Sequence, residues 1–201
     1  MRKLQEYTEK EKKYMIMAAR ESIQKYFDKK KMAVPKNCPE KLKQPGACFV
    51  TLEKVANNQR ELRGCVGTLY ADRPLIKDII ENARNAAFED SRFPKLAQKE
   101  LKDIEIEISI LTKPEELKFS DEKDLLKKLN PPEDGVILVK GSKRSTFLPV
   151  VWEHFQKGKS YDKELFLENL SIKAYLEPDG WRKGCKVYIY KTVFIKEDGL
   201  K

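Results

Sequence analysis

Residues 103–111 read DIEIEISIL, and no other stretch narrows the fold as much. Ile104, Ile106, Ile108 and Ile110 recur at every second position, with Glu105, Glu107 and Ser109 between them. A period of two sends alternate side chains to opposite faces of a strand. This strand therefore has an apolar face that must cover a core and a polar face that need not.

The flanking segments supply the rest of a mixed architecture. Thr8 and Glu11 form a capping box, and Tyr14, Met15, Ala18, Ala19, Ile23 and Phe27 recur at helical spacing, so the chain opens with a helix. Met32 to Gly46 reads as an irregular, proline-containing connector. ACFVTLEK reads as a strand, VANNQR as a polar turn and ELRGCVGTLY as a second, irregular strand, which together make a hairpin. Pro74 opens a helix whose apolar face is Leu75, Ile76, Ile79, Ile80, Ala83, Ala86 and Ala87.

After the alternating strand the order repeats. GVILVKG and STFLPV form another hairpin with a basic KGSKR turn. Helical segments follow around VVWEHFQK and DKELFLENLSIKAYL, and then KVYIYKTVFI reads as a strand. Two hairpin–helix–strand halves with negligible mutual identity predict an α+β fold. Its expected core is one large, curved, barrel-like and mostly antiparallel sheet with helices packed on it. No GxGxxG phosphate-binding fingerprint accompanies a parallel βαβ pattern.

At 201 residues a single domain is the expectation. No apolar run reaches the ~18–20 residues that span a bilayer, and MRKLQEYTEKEKK has no signal-type apolar stretch, so the expected compartment is the cytosol, with no membrane partner. Lys and Arg outnumber Asp and Glu by 41 to 32, a net charge of +9. The signs alternate within KEKK, KDLLKK and QKELKD, which describes a solvated surface better than a nucleic-acid footprint. Cys38, Cys48, Cys65 and Cys185 form no short-spaced pair, and the lone histidine, His154, is not near any of them in sequence. That spacing does not predict a zinc site.

Cys65 has the unusual neighbourhood, LRGCVG. Glycine weakens a strand interior and marks a bulge, a bend or a close backbone approach. A chain turned through positive φ at Gly64 or Gly67 would aim backbone N–H groups at an anion. Arg63 could clamp a carboxylate or phosphate, and Cys65 is a candidate nucleophile or ligand. The other reading is that the glycines form bulges and Cys65 packs inward. In AAFEDSRFP, two alanines allow close backbone approach. Asp90 and Arg92 either make a local hydrogen-bond network or stand at the rim of the Cys65 pocket. Glu107 and Ser109 lie on the polar face of their strand, where Glu107 could serve as a base if that face lines a site.

These residues carry a resemblance. ACFVTL, ELRGCVGTLYADRPL, AAFEDSRFPKL, IEIEISILTKPEEL, DGVILVKG, TFLPVVW and FLENLSIKAYL together resemble the AMMECR domain family. Its bacterial and archaeal members are often called AmmeMemoRadiSam system protein A. The resemblance implies an α+β fold with a barrel-like antiparallel sheet, one domain over 1–201 with a large and a small subdomain separated by a cleft. It places the hallmark on Leu62, Arg63, Gly64, Cys65, Val66 and Gly67, with Asp90, Arg92, Glu107 and Ser109 at family-typical positions. It implies work alongside a Memo-type protein and a radical S-adenosylmethionine enzyme, and it names no cofactor and no settled reaction. Two departures stand out: Val150 replaces a polar amide in FLPVVW, and Tyr175 replaces a small residue.

Three functions follow as expectations. One is an enzyme or enzyme subunit with Cys65 and Glu107 as catalytic groups and Arg63, Gly64, Gly67, Asp90, Arg92 and Ser109 as ligand contacts. Another is an accessory protein that holds a small anionic ligand or a protein partner. Nucleic-acid binding is the least favoured.

Overall fold

Thr8 begins the first helix as the capping box requires. In the computed structural model, which describes residues 6–29, 33–56 and 59–197, the Thr8 hydroxyl accepts the Glu11 N–H. The Glu11 carboxylate accepts the Thr8 N–H in return, at 2.8 Å. Helix α1 runs Glu9–Phe27 and buries Met15, Ile16, Ala18, Ala19 and Ile23. Asn57 and Asn58 of the expected VANNQR turn lie outside the described residues, as does Met32 of the connector.

The chain divides into two compact units, Met1–Leu111 with Val193–Lys201, and Thr112–Thr192. The first holds α1, the hairpin β1 (Ala47–Ala56) and β2 (Gln59–Gly67), helix α2 (Leu75–Phe88) and strand β3 (Ile104–Leu111). The alternation of β3 reads out as expected: Ile104, Ile106, Ile108 and Ile110 all enter the core, together with Val50 and Leu52 of β1. Against them pack Ile76, Ile79, Ala83 and Ala86 of α2 and Met15, Ala19 and Ile23 of α1. Each fully buried Ile or Leu contributes about 1.5–3 kcal/mol.

The second unit contains β4 (Glu115–Glu116), α3 (Glu122–Lys128), and the hairpin β5 (Gly135–Lys140) and β6 (Lys143–Phe147). A ribbon of β7 (Gln156–Lys157) and β8 (Ser160–Tyr161) follows, then α4 (Lys163–Lys173) and β9 (Lys186–Tyr190). Its core centres on Trp152, whose ring stacks on Phe166 with centroids 3.5 Å apart, and on Trp181, Leu170 and Val187. The VVWEHFQK stretch is a 3₁₀ turn, Pro149–Phe155, rather than an α-helix. After β9 comes β10 (Thr192–Lys196).

The fold class is α+β with antiparallel hairpins, and the strands fall into two four-stranded sheets and the short ribbon instead of one sheet. KVYIYKTVFI, expected as one strand, is split between the sheets as β9 and β10. The strand orders are β10-β3-β1-β2 and β4-β9-β5-β6. Position for position these match: β1–β2 with β5–β6, β3 with β9, and β10 with β4. The two halves are thus related in topology, with one exchange. The chain leaves β3 to form β4 beside β9, and leaves β9 to form β10 beside β3. At the root of that exchange the Thr112 N–H donates to the Lys191 carbonyl, and the Lys191 N–H donates to Thr112 Oγ1, both at 2.9 Å.

Candidate functional site

The polar face of the first sheet brings Cys65 and Glu107 onto one row. In the antiparallel register Thr51 of β1 pairs with Cys65 of β2 on one side and with Glu107 of β3 on the other. Directly paired residues project to the same face, and Leu52 and Ile106, one position along, project to the core. Cys65, Thr51 and Glu107 therefore share the face opposite α1 and α2. The Cα atoms of Cys65 and Glu107 are two strand spacings apart, about 10 Å, so Thr51 stands between them. The Thr51 hydroxyl donates to Cys65 Sγ at 3.3 Å. Glu107, with 13% of its side chain exposed, meets Lys196 of β10 at 3.1 Å. That pairing raises the Lys196 ammonium above its ordinary range.

Asp90 and Arg92 are brought to Cys65, as a brace on its backbone. The Cys65 N–H donates to Asp90 Oδ2 at 2.8 Å, and Arg92 Nη2 donates to the Cys65 carbonyl at 3.3 Å. Arg92 also grips the carboxylate at both oxygens, through Nε at 3.0 Å and Nη2 at 2.7 Å. β2 is an edge strand, so these two side chains take the donor and acceptor that Cys65 would otherwise offer to another chain. Asp90 and Arg92 form a local network, and that network touches the backbone of Cys65. The Arg92 hydrogen bonds, with help from the Cys65 N–H and against the cost of burial, hold the Asp90 carboxyl at a pKa of about 2. The same pairing raises Arg92.

Arg63 and the glycines behave differently from expectation. Leu52 pairs with Gly64 while Glu53 pairs with Leu62, which leaves Arg63 as the extra residue of a β-bulge. Its guanidinium is not an open clamp: Nε and Nη2 donate to the two oxygens of Glu100 at 3.0 and 3.2 Å. Glu100 also accepts the Ala97 N–H at 2.8 Å, and the Arg63 hydrogen bonds lower its carboxyl. Gly64 and Gly67 are not among the residues with positive φ, so neither turns the backbone into an anion cradle. They are required by contact. A Cβ on Gly64 would lie 2.1 Å from the Ala86 carbonyl oxygen of α2, and one on Gly67 would lie 2.3 Å from the Phe49 ring.

Ser109 lies one row further along the same face, paired with Phe49. It is fully buried, and its hydroxyl has no hydrogen-bond partner among the described residues. His154 is exposed on the 3₁₀ turn of the second unit, and Val150 and Tyr175 are exposed there too. None of the cysteines at positions 38, 48, 65 and 185 is in a disulfide. Among the described residues no group of three or more His, Cys, Asp or Glu side chains is placed to hold a metal ion, and no helix is long and apolar enough to cross a membrane.

Sequence reasoning missed Thr51, Glu100 and Asp78. Buried Asp78 of α2 accepts from the Cys48 N–H at 2.9 Å, Thr68 Oγ1 at 2.7 Å, Asn82 Nδ2 at 3.0 Å and Arg73 Nε at 2.7 Å. It ties α2 to the start of β1, while burial and the adjacent carboxylate push the Cys48 thiol well above its usual range. Its only sequence signal is a charge on the apolar side of LIKDII.

Comparison with known proteins places this arrangement. The chain is 42% identical over 179 residues to the protein SSO0193 of Saccharolobus solfataricus, covering 89% of this chain and 77% of that one. It is 33% identical over 191 residues to a protein of Thermofilum pendens, covering 91% and 88% respectively. The crystal structure of the uncharacterized protein PH0010 from Pyrococcus horikoshii superposes with a TM-score of 0.85 at 30% identity, over 94% of this chain and 92% of that one. The AMMECR1 family model matches residues 16–195, a span that holds both sheets but for Lys196 at the end of β10 and includes Thr51, Cys65 and Glu107, and the chain belongs to the AMMECR1 family.

Proposed function

We propose that the chain is an enzyme, or a subunit of one, whose reactive group is the Cys65 thiol and whose acid–base group is Glu107. The observation that carries this reading is the in-register row Cys65–Thr51–Glu107, with the Thr51 hydroxyl donating to the sulfur. A hydroxyl donor at sulfur favours the charged, nucleophilic form. The Asp90–Arg92 brace fixes the backbone that carries the thiol, so the sulfur holds its position while it reacts. Thr51 stands between thiol and carboxylate in the strand register, and its one side-chain contact in this row is the hydrogen bond it donates to the sulfur. A thiolate nucleophile would attack an electrophilic centre of its substrate. Membership of the AMMECR1 family supports a place beside Memo-type and radical S-adenosylmethionine proteins.

The accessory reading keeps one observation in its favour. Arg63, Asp90 and Arg92 are already engaged in ion pairs within the chain, as they would be if the motif only shaped a surface for a partner. Site-resolved alkylation separates the two. Native protein is treated with iodoacetamide between pH 6 and 9, and Cys65 modification is read by peptide mass spectrometry. Labelling of Cys65 in the folded protein at least as fast as in a denatured sample at pH 7 supports the thiol reading. Labelling only after unfolding removes it and leaves the accessory role.

A further inference from the structure

The first unit carries a cavity of about 540 Å³ lined on one side by α2. Its lining includes Tyr26 at the end of α1, Val34 of the connector, and Lys77, Ile80, Arg84 and Phe88 of α2. The volume is that of a small-molecule site, and the lining is half apolar or aromatic and half polar or charged. Ile80 and Phe88 are buried, and the Phe88 ring stacks on Tyr26 with centroids 3.7 Å apart and planes at 16°. The side of that stacked pair turned to the cavity forms its apolar wall.

The charges around this wall are unequal in what they do. Glu81 pairs with Arg73, and Glu89 lies 3.8 Å from Lys95. Both acids of the lining thus have cations of their own. Lys77 and Arg84 have no carboxylate partner among the described residues. Arg84 holds its guanidinium 5.6 Å from the centre of the Tyr26 ring, a contact that does not use its N–H groups as hydrogen-bond donors. Lys77, Arg84 and Phe88 follow one another at spacings of seven and four along α2, which puts two uncommitted cations and an aromatic ring on one helical stripe.

We infer that this cavity binds an organic anion with a flat apolar body, the ring system lying against Tyr26, Phe88 and Ile80 and the anionic group meeting Arg84 and Lys77. A neutral apolar ligand would leave both cations unused. An anion without an apolar body would leave the aromatic wall exposed. The site is separate from the Cys65 row and does not depend on the reading of that row.

Two fluorescent probes of the same skeleton test it: 8-anilinonaphthalene-1-sulfonate, which carries the anion, and N-phenyl-1-naphthylamine, which lacks it. Folded wild-type protein should bind the sulfonate saturably at one site. Arg84→Gln combined with Lys77→Gln should weaken that binding about tenfold and leave the neutral probe within about twofold. Circular dichroism and melting should show both proteins equally folded, since Lys77 is exposed, Arg84 is half-buried and neither forms an ion pair among the described residues. Absence of saturable sulfonate binding to the wild type overturns the proposal. So does binding that the double variant leaves unchanged, which would place the probe elsewhere.

Discussion

Asp90 accepts the backbone N–H of Cys65 at 2.8 Å, while its own partner Arg92 donates to the Cys65 carbonyl. One ion pair thus occupies both hydrogen-bonding groups of a single residue on an edge strand. With 6% of the Asp90 side chain exposed, the carboxylate works where solvent screens it little. A folded-state pKa of about 2 against an ordinary 3.8 corresponds to about 2 kcal/mol of stabilisation. Because the folded value is the lower one, this stabilisation is fully present above about pH 4 and disappears as the pH falls towards 2. Urea unfolding of wild type and Asp90→Asn from pH 6 to pH 2 should show a gap of about 2 kcal/mol that closes across that window. A gap independent of pH would mean the carboxylate charge is not what stabilises the strand.

Gly64 separates steric need from backbone conformation. Its missing side chain leaves room for the Ala86 carbonyl, and a helix backbone cannot step aside as a flexible side chain can. Gly64→Ala should cost about 3 kcal/mol or more. Gly141, at φ +60 with open space around it, should cost only about 1 kcal/mol as Ala. Melting temperatures of the two variants decide the order.

Arg63 and Glu100 are expected to behave as a structural couple. Their side chains are 11% and 21% exposed, so removing one leaves the other charge poorly solvated. Arg63→Met alone should lose about 3 kcal/mol, and adding Glu100→Leu should recover a large part of it. A double-mutant cycle by urea unfolding measures the coupling. Additive losses would show that Arg63 acts through something other than Glu100.

Thr51→Val removes the donor at Cys65 Sγ while keeping the shape of the side chain. Iodoacetamide labelling of Cys65 at pH 7 should slow about threefold or more, with labelling of Cys38 unchanged as the internal reference. Equal rates at Cys65 would show that the hydroxyl does not activate the sulfur.

Local signals carried most of the elements. The capping box of α1, the apolar stripe of α2 and the alternation of β3 each depend on residues a few positions apart, and each appears as read. The bulge beside LRGCVG and the small alanines of AAFEDSRFP were legible separately; that Gly64 and Ala86 need each other becomes visible only once α2 lies across the hairpin. Glu100 was hidden because QKELKD alternates charge like any solvated segment, and its partner is 37 residues away. The division of KVYIYKTVFI was hidden for another reason. Both of its halves are equally good strands, and nothing local says that Lys191 is where the chain changes sheets. Thr51 was missed because a threonine in ACFVTL reads as an ordinary strand residue until the register places it between Cys65 and Glu107.

The exchange of β4 and β10 has a consequence for the order of synthesis. The second unit's four sheet strands all emerge before Val193, so that unit can close its sheet as soon as it leaves the ribosome. The first unit is made earlier yet must wait, because Ile195 completes its core and Glu197 supplies the carboxylate that grips Arg20 at 2.5 Å and accepts the Ile106 N–H at 3.1 Å. The nascent first sheet therefore spends the whole translation of the second unit with β3 open on one side. Maturation of the half that carries Cys65 is timed by the half that does not.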